Sequence, residues 1–321
     1  IKNMHSYCRP AGSVTEQKFI ERYIETIPGI KKDGFGNYFI RIGNDPIIWT
    51  AHTDTMHSEP GYQAVELIGD HLMLKDQSNK GSCLGADDAS GCFLLLKLIE
   101  IKKEGLFCFF RSEEIGGLGS DYFVKNYPEL LKQFKFVISL DRKGTDSIIT
   151  HQGQRCCSDK FAESLKEQLG KSWYLDSSGL FTDSLNFVGE VGECTNLSTG
   201  YTLAHSRFET LDVKHLVDLL GLLIKLDVSK LVSERLPGEK DYQDYHRYYG
   251  SDNYNPYDTS SKLFPLDDTP CYVANSFTDL VSTYPEIAEK ELRAYGVSEE
   301  DFKIAIYNST GELTTDTMEG Y

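Results

Sequence analysis

Two imidazoles and a group of carboxylates stand in one order along this chain: His52-Thr53-Asp54, Asp87-Asp88, Glu113-Glu114, Asp141 and His205. These are ligand types for hard-to-borderline divalent cations, zinc first among them, and there are enough of them for two ions. Water held between two such ions becomes a nucleophile at neutral pH, so hydrolysis is the chemistry the set suggests. Each motif is weak when taken singly. His-x-Asp is common in turns, Asp-Asp ahead of a helix can cap it, and Glu-Glu is most often surface charge. An isolated Asp141 or His205 could be purely structural. Their placement is the informative part. Most of them sit where an apolar run stops, and in open α/β sheets ligands gather beyond the carboxyl ends of the strands.

The elements that must position these residues can be read from periodicity. Strand-like runs at Ile47–Thr50, Leu106–Phe110 and Phe136–Leu140 lead directly into Ala51-His52, Arg111–Glu114 and Asp141. A further strand is expected at Tyr38–Ile42 and a hairpin within 61–75. Helical spacing marks 14–27, where Phe19, Ile20, Tyr23, Ile24 and Ile27 share a face, and an apolar helix runs from Cys92 to Ile99 after Gly85–Gly91. Other helices are expected near 120–132, at 158–169 and at 212–230. The alternation predicts an α/β fold with a mostly parallel mixed central sheet and helices on both faces. Beyond about residue 235 the character changes. The stretch 237–262 is polar and Tyr-rich, and helical periodicity returns over 274–307. The expected division is therefore 1–235 as one unit, with 236–321 as a linker and a small helical C-terminal extension.

Composition narrows the partners. With a formal net charge of −16, 40% hydrophobic and 26% charged residues, the chain reads as a globular protein without a face for nucleic acid or an anionic membrane. No apolar stretch approaches the roughly 20 residues needed to span a bilayer. No signal-peptide pattern opens the sequence, and none of its eight cysteines is spaced Cys-x-x-Cys. Reduced thiols and a cytoplasmic location are the expectation, with vicinal Cys156-Cys157 taken as structural.

Read together, the motifs resemble those of the co-catalytic dizinc exopeptidases, which include bacterial leucyl aminopeptidases, glutamate carboxypeptidases and related amidohydrolases. That family's patterns are His-x-Asp, Gly-Ala-Asp-Asp-x-x-Ser-Gly, Glu-Glu-x-Gly-x-x-Gly-Ser, a strand-ending Asp and His-Ser-x-x-Glu-Thr. Here they stand as His52–Asp54, Gly85–Gly91 (one residue shorter than that pattern, which leaves Asp87 in place), Glu113–Ser120, Asp141 and His205–Thr210. The resemblance covers roughly residues 10–230. It implies two Zn2+ ions, with Co2+ or Mn2+ as substitutes, and Asp87 bridging them. His52 and Asp141 would complete one site and Glu114 and His205 the other. It further implies Glu113 as general base, Asp54 as the residue orienting His52, and a cis bond between Asp87 and Asp88.

Spacing selects a subgroup. About 60 residues between Asp141 and His205, and about 35 between His52 and Asp87, leave no room for the domains that related enzymes insert there. A compact, lidless aminopeptidase fits best, acting on a peptide or small amide substrate. A carboxypeptidase, dipeptidase or N-acyl amidohydrolase on the same metals is the main alternative, and a non-catalytic binding module that kept the fold is the lesser one. The oligomeric state stays open. Candidate substrate contacts are Asp183, within Phe181–Ser184, together with Tyr201 and Arg207. The carboxypeptidase-like members often place Tyr just before the last His, where this chain has Ala204. His57 and His151 read as structural.

Overall fold

The computed structural model describes residues 1–79 and 81–240. The Tyr-rich segment beyond residue 240, the helical pattern over 274–307 and Cys271 lie outside the described residues. Three strands without an exposed residue form the middle of the molecule. Ile47–His52 lies between Gly105–Phe110 on one side and Phe136–Arg142 on the other, parallel to both. Successive residues of these strands face opposite ways, so each strand must be apolar on both faces. Ile47, Trp49 and Ala51 enter one core with Phe107, Phe109, Ile138 and Leu140, while Ile48 enters a second with Leu106, Phe110 and Val137.

The full sheet has eight strands. Glu193–Ser198 pairs in parallel with Phe136–Arg142. Ser147–Ile149 and Tyr174–Asp176 extend that side, and Tyr38–Ile42 with Lys31–Lys32 extends the other in antiparallel fashion. The exposed lysine pair forms one outer edge, a placement that discourages pairing with another chain. A separate four-stranded sheet contains Val65–Ile68 and His71–Leu74, the expected hairpin, with Tyr201–Thr202 and Thr210–Asp212.

Helices Val14–Tyr23, Ala86–Glu100, Asp159–Leu169 and Val213–Lys225 contribute Phe19, Leu95, Leu165 and Leu219 to the first core. Helices Leu118–Asn126 and Pro128–Leu131 cover the opposite face through Phe123 and Leu131. Both faces of the sheet are thus sealed, as the sequence pattern implied. Among the described residues no helix is long and apolar enough to cross a membrane.

Several boundaries differ from the sequence reading. The helix expected over 14–27 stops at Tyr23, since Ile27 precedes Pro28 and the residue before proline disfavours helical geometry. The helix near 120–132 is two, because Pro128 has no N–H to continue the ladder and instead starts the second. The helix of 212–230 ends at Lys225 and a short 3-10 turn, Val228–Lys230, follows. There the Lys103 ammonium donates to the Ile224 carbonyl at 3.2 Å and to that of Leu226.

Candidate metal centre

The strand order fixes where a site can form. From Ile47–His52 the chain goes first to the neighbour on one side, Gly105–Phe110, and later to the neighbour on the other, Phe136–Arg142. Such a reversal opens a crevice at the carboxyl ends of the strands. His52 ends the central strand, Glu113 and Glu114 follow its first neighbour, and Asp141 lies near the end of the second. Asp87 and Asp88 arrive from the start of helix Ala86–Glu100, in non-helical conformation and joined by a cis peptide bond. That helix must run close to the sheet. A Cβ on Gly91 would stand 2.4 Å from the Leu140 carbonyl oxygen, so only glycine fits there.

Asp87 is the centre of the arrangement. Its Oδ1 lies 3.1 Å from His52 Nε2, which is itself 3.6 Å from Asp141 Oδ1. Its Oδ2 lies 3.1 Å from His205 Nε2, which is 3.2 Å from Glu114 Oε2. One carboxylate therefore faces two separate imidazole–carboxylate pairs. Glu113 Oε2 approaches from the first side, 3.8 Å from His52 Nε2. Asp88, though adjacent, is engaged by backbone donors. Its Oδ2 accepts the His52 N–H at 3.1 Å and its Oδ1 the Gly91 N–H at 2.8 Å.

So many carboxylates in so little water perturb one another. Burial, then the charges of Asp141, Asp183 and Asp87 against the opposing pull of His52, pushes Glu113 up to about 10. Burial and Asp87 raise Asp141 to about 6. Hydrogen bonds to Asp87 and Glu114 lift His205 to about 11. Burial opposes protonation of His52, yet Asp141, Asp54 and Asp87 outweigh it and hold the imidazole well above its usual value. The donor set fits divalent cation binding. Ligand atoms of His52, Asp87 and Glu114 lie within 4.8 Å of one another, as do those of His52, Asp88 and Asp141. Glu114 Oε1 is buried without a hydrogen-bond partner, a cost that a cation would remove.

Around these residues stands a supporting layer. His52 Nδ1 is 3.1 Å from the backbone carbonyl of Asp54 and 3.6 Å from its carboxylate. That carboxylate accepts the N–H groups of Glu113 at 3.1 Å and Glu114 at 3.2 Å. Asp54 thus ties the imidazole to the Glu-Glu turn, a link that its position in the His-x-Asp motif does not reveal. Tyr201, expected as a substrate contact, is buried and donates its hydroxyl to Asp141 Oδ1 at 3.1 Å. Asp183 is buried, with burial foremost in raising it to about 7, and its Oδ1 has no hydrogen-bond partner. Arg207 lies partly exposed with its guanidinium 4.8 Å from the Phe208 ring centre. His57 is held by Thr55 at 2.8 Å and Gln63 at 3.1 Å, and His151 Nδ1 is 2.9 Å from the Thr150 hydroxyl.

Three supporting residues escaped the sequence reading. Thr182 donates to Asp141 Oδ2 at 2.7 Å. Asn196 brackets the Asp141 backbone, accepting its N–H at 2.9 Å and donating to its carbonyl at 2.8 Å. Glu209, fully buried, accepts the N–H groups of Gly85 at 2.9 Å and Asp87 at 3.1 Å. Glu209 lies inside the quoted His205–Thr210 motif and Thr182 inside Phe181–Ser184, so only Asn196 had no signal at all.

Comparison with known families identifies the architecture. Residues 38–190 match peptidase family M28. This segment is an M28 peptidase domain. The chain is accordingly a metallopeptidase, a hydrolase of peptide bonds. The M28 segment contains His52, Asp87, Glu113, Glu114 and Asp141, and His205 follows it. Solved structures share the fold at low identity. Aminopeptidase PepT from Bacillus cereus is 14% identical with a TM-score of 0.56, over 71% of this chain and 96% of its own. A tripeptidase from Staphylococcus aureus is 13% identical with a TM-score of 0.54, over 70% and 95%. An aminopeptidase from the archaeon Desulfurococcus kamchatkensis is 15% identical with a TM-score of 0.53, over 74% and 94%. The sequence matches no curated protein.

Proposed function

We propose that the chain is an exopeptidase with two zinc ions, an aminopeptidase that removes a neutral or basic N-terminal residue. The observation that carries this reading is the division of Asp87, whose two oxygens each lie 3.1 Å from a different histidine. His52, Asp141 and Asp87 Oδ1 would hold one cation, and His205, Glu114 and Asp87 Oδ2 the other. When bound, the pair would supply a water acidic enough to ionise near neutral pH and would polarise the scissile carbonyl. Glu113 reaches into the same space without belonging to either pair. We assign it as the base: cations held beside it would draw its raised carboxyl down, and it would then take the proton of the attacking water and return it to the leaving amine. Asp54 keeps His52 and the Glu113 turn in fixed relation, and Thr182, Tyr201 and Asn196 hold Asp141. We assign this activity to a unit of residues 1–235. A cytoplasmic setting agrees with the free state of all seven described cysteines, Cys156 and Cys157 among them.

Free-amine and N-acetylated peptides, assayed with zinc, cobalt and manganese, test the substrate assignment. Turnover of the free-amine set alone is expected; preference for acylated peptides would make the chain a deacylase. Glu113→Gln should lower kcat by about 10²- to 10⁴-fold, the usual size of a lost general base, with metal content unchanged. Full turnover in that variant would overturn the assignment of Glu113.

A further inference from the structure

Among the described residues, positive φ outside glycine occurs at Lys102, Ser112, Leu203 and His205. Three of these stand at the centre. Ser112 precedes Glu113, while Leu203 (φ 53°) and His205 (φ 61°) belong to the loop that carries the last imidazole. A Cβ is crowded in that conformation, and a bulky leucine is an uncommon occupant. Such backbone persists only where its surroundings over-determine it.

The loop spans residues 203–209 and joins Tyr201–Thr202 to Thr210–Asp212, which pair antiparallel. Both of its feet are tied to the centre. Tyr201 donates its hydroxyl to Asp141, and Glu209 accepts the N–H groups of Gly85 and Asp87. Between the feet, His205 Nε2 lies 3.1 Å from Asp87 Oδ2 and 3.2 Å from Glu114 Oε2. The His205 side chain is 46% exposed, whereas His52 is fully buried and steadied by Asp54. Packing therefore does not set the His205 ring, and the loop backbone must.

Ser206 locks that backbone. Its hydroxyl donates to the Leu203 carbonyl at 2.7 Å and accepts the Phe208 N–H at 3.2 Å. The Ser206 carbonyl accepts the Glu209 N–H at 3.0 Å. One residue thus joins the left-handed Leu203, ahead of the imidazole, to the anchored foot behind it. Resting on the two-cation reading above, we propose that Ser206 is a positioning residue: through the Leu203 carbonyl it holds the left-handed turn that aims His205 at Asp87 and Glu114. Both partners of the hydroxyl are backbone groups, so it acts through the chain rather than on a cation or substrate. Without it the turn relaxes and the imidazole leaves the Glu114 side, while the His52–Asp141 side keeps its geometry.

Calorimetric titration of zinc into the metal-free full chain tests this, because its two equivalents report the two sides. Ser206→Ala should weaken one equivalent by about 10- to 100-fold, the size of a lost outer support, and leave the other unchanged. Ser206→Thr keeps the hydroxyl and should restore the lost affinity. Leu203→Asn, added to Ser206→Ala, should restore it too, since asparagine enters the left-handed region more readily. The thermal midpoint shows whether each variant is folded. Should Ser206→Ala not fold, Leu203→Val crowds the same turn and should weaken the same equivalent. The His205 ring resonance of metal-free protein gives a reading independent of zinc. It should shift in Ser206→Ala, as the ring leaves Asp87 and Glu114, and return in Ser206→Thr. Unchanged zinc affinities in a folded variant, equal weakening of both equivalents, or an unmoved His205 resonance would overturn the role of Ser206. If wild-type protein binds fewer than two zinc ions, the two-cation reading fails separately, and the His205 resonance still decides the lock.

Discussion

Glu209 shows how much of the centre depends on a residue that touches no proposed cation. Its two oxygens satisfy the N–H groups of Gly85 and Asp87, and so fix the backbone from which the shared carboxylate projects. Glu209→Ala leaves both donors buried and unpaired, each at a cost of about 1–3 kcal/mol. The expected outcome is a lower thermal midpoint together with metal lost at about 10- to 100-fold lower chelator concentration, the scale of a missing outer support. An unchanged chelator titration would reduce Glu209 to a folding role. At this scale the sequence pointed to the residues that the fold gathers and to Asp54 beside His52, but not to every support. His52, Asp87, Glu113, Glu114, Asp141 and His205 are chemically conspicuous and end recognisable strands or motifs. The role of Asn196 depends on a contact with Asp141, 55 positions away, that no local pattern encodes.

Among the elements, the first helix has a role beyond packing. Ser13 caps it by accepting the Glu16 N–H at 3.1 Å. Glu16, fully buried, pairs with Arg111 through Nε at 3.1 Å and Nη2 at 2.8 Å and accepts the Thr53 hydroxyl at 2.7 Å. One helix thereby braces both the His52–Asp54 loop and the turn carrying Glu113. Removing one member of a buried pair strands the other charge, so Glu16→Ala should cost about 3–5 kcal/mol. Denaturant titration of Glu16→Ala, Arg111→Ala and the double variant should give a coupling well above zero, and strict additivity would show the two act independently. Strands Ile47–His52, Gly105–Phe110 and Phe136–Arg142 were legible because burial on both faces demands continuous apolar runs. Ser147–Ile149 and Tyr174–Asp176 were not, since three residues carry no period. Glycine found its reason only in three dimensions. A Cβ on Gly119 would lie 2.3 Å from the Arg111 carbonyl oxygen, which is why the Glu-Glu turn needs that residue.

Across the whole molecule, acid should be the condition the fold tolerates least. His5 is fully buried, and burial lowers it to about 3; His57 falls to about 4 for the same reason. An unfolded histidine takes a proton near pH 6.5. Between there and about pH 3 the unfolded chain binds protons that folded His5 refuses, so stability falls as pH drops through that window. At about 1.4 kcal/mol per unit the loss from His5 alone amounts to a few kcal/mol. Urea midpoints measured from pH 7 to pH 4 should decline less steeply for His5→Met than for wild type, and parallel curves would remove His5 from the account. The central strand has a different consequence, one for the chain during its synthesis. Ile47–His52 emerges first, yet its neighbours lie at 105–110 and 136–142. Until the second is made, a nascent chain carries an apolar strand with an open edge, the kind of surface that recruits other chains. A fragment ending before residue 105 should therefore scatter light at concentrations where the full chain stays clear. The order that opens a crevice for chemistry also leaves the growing polypeptide in need of protection until its third central strand arrives.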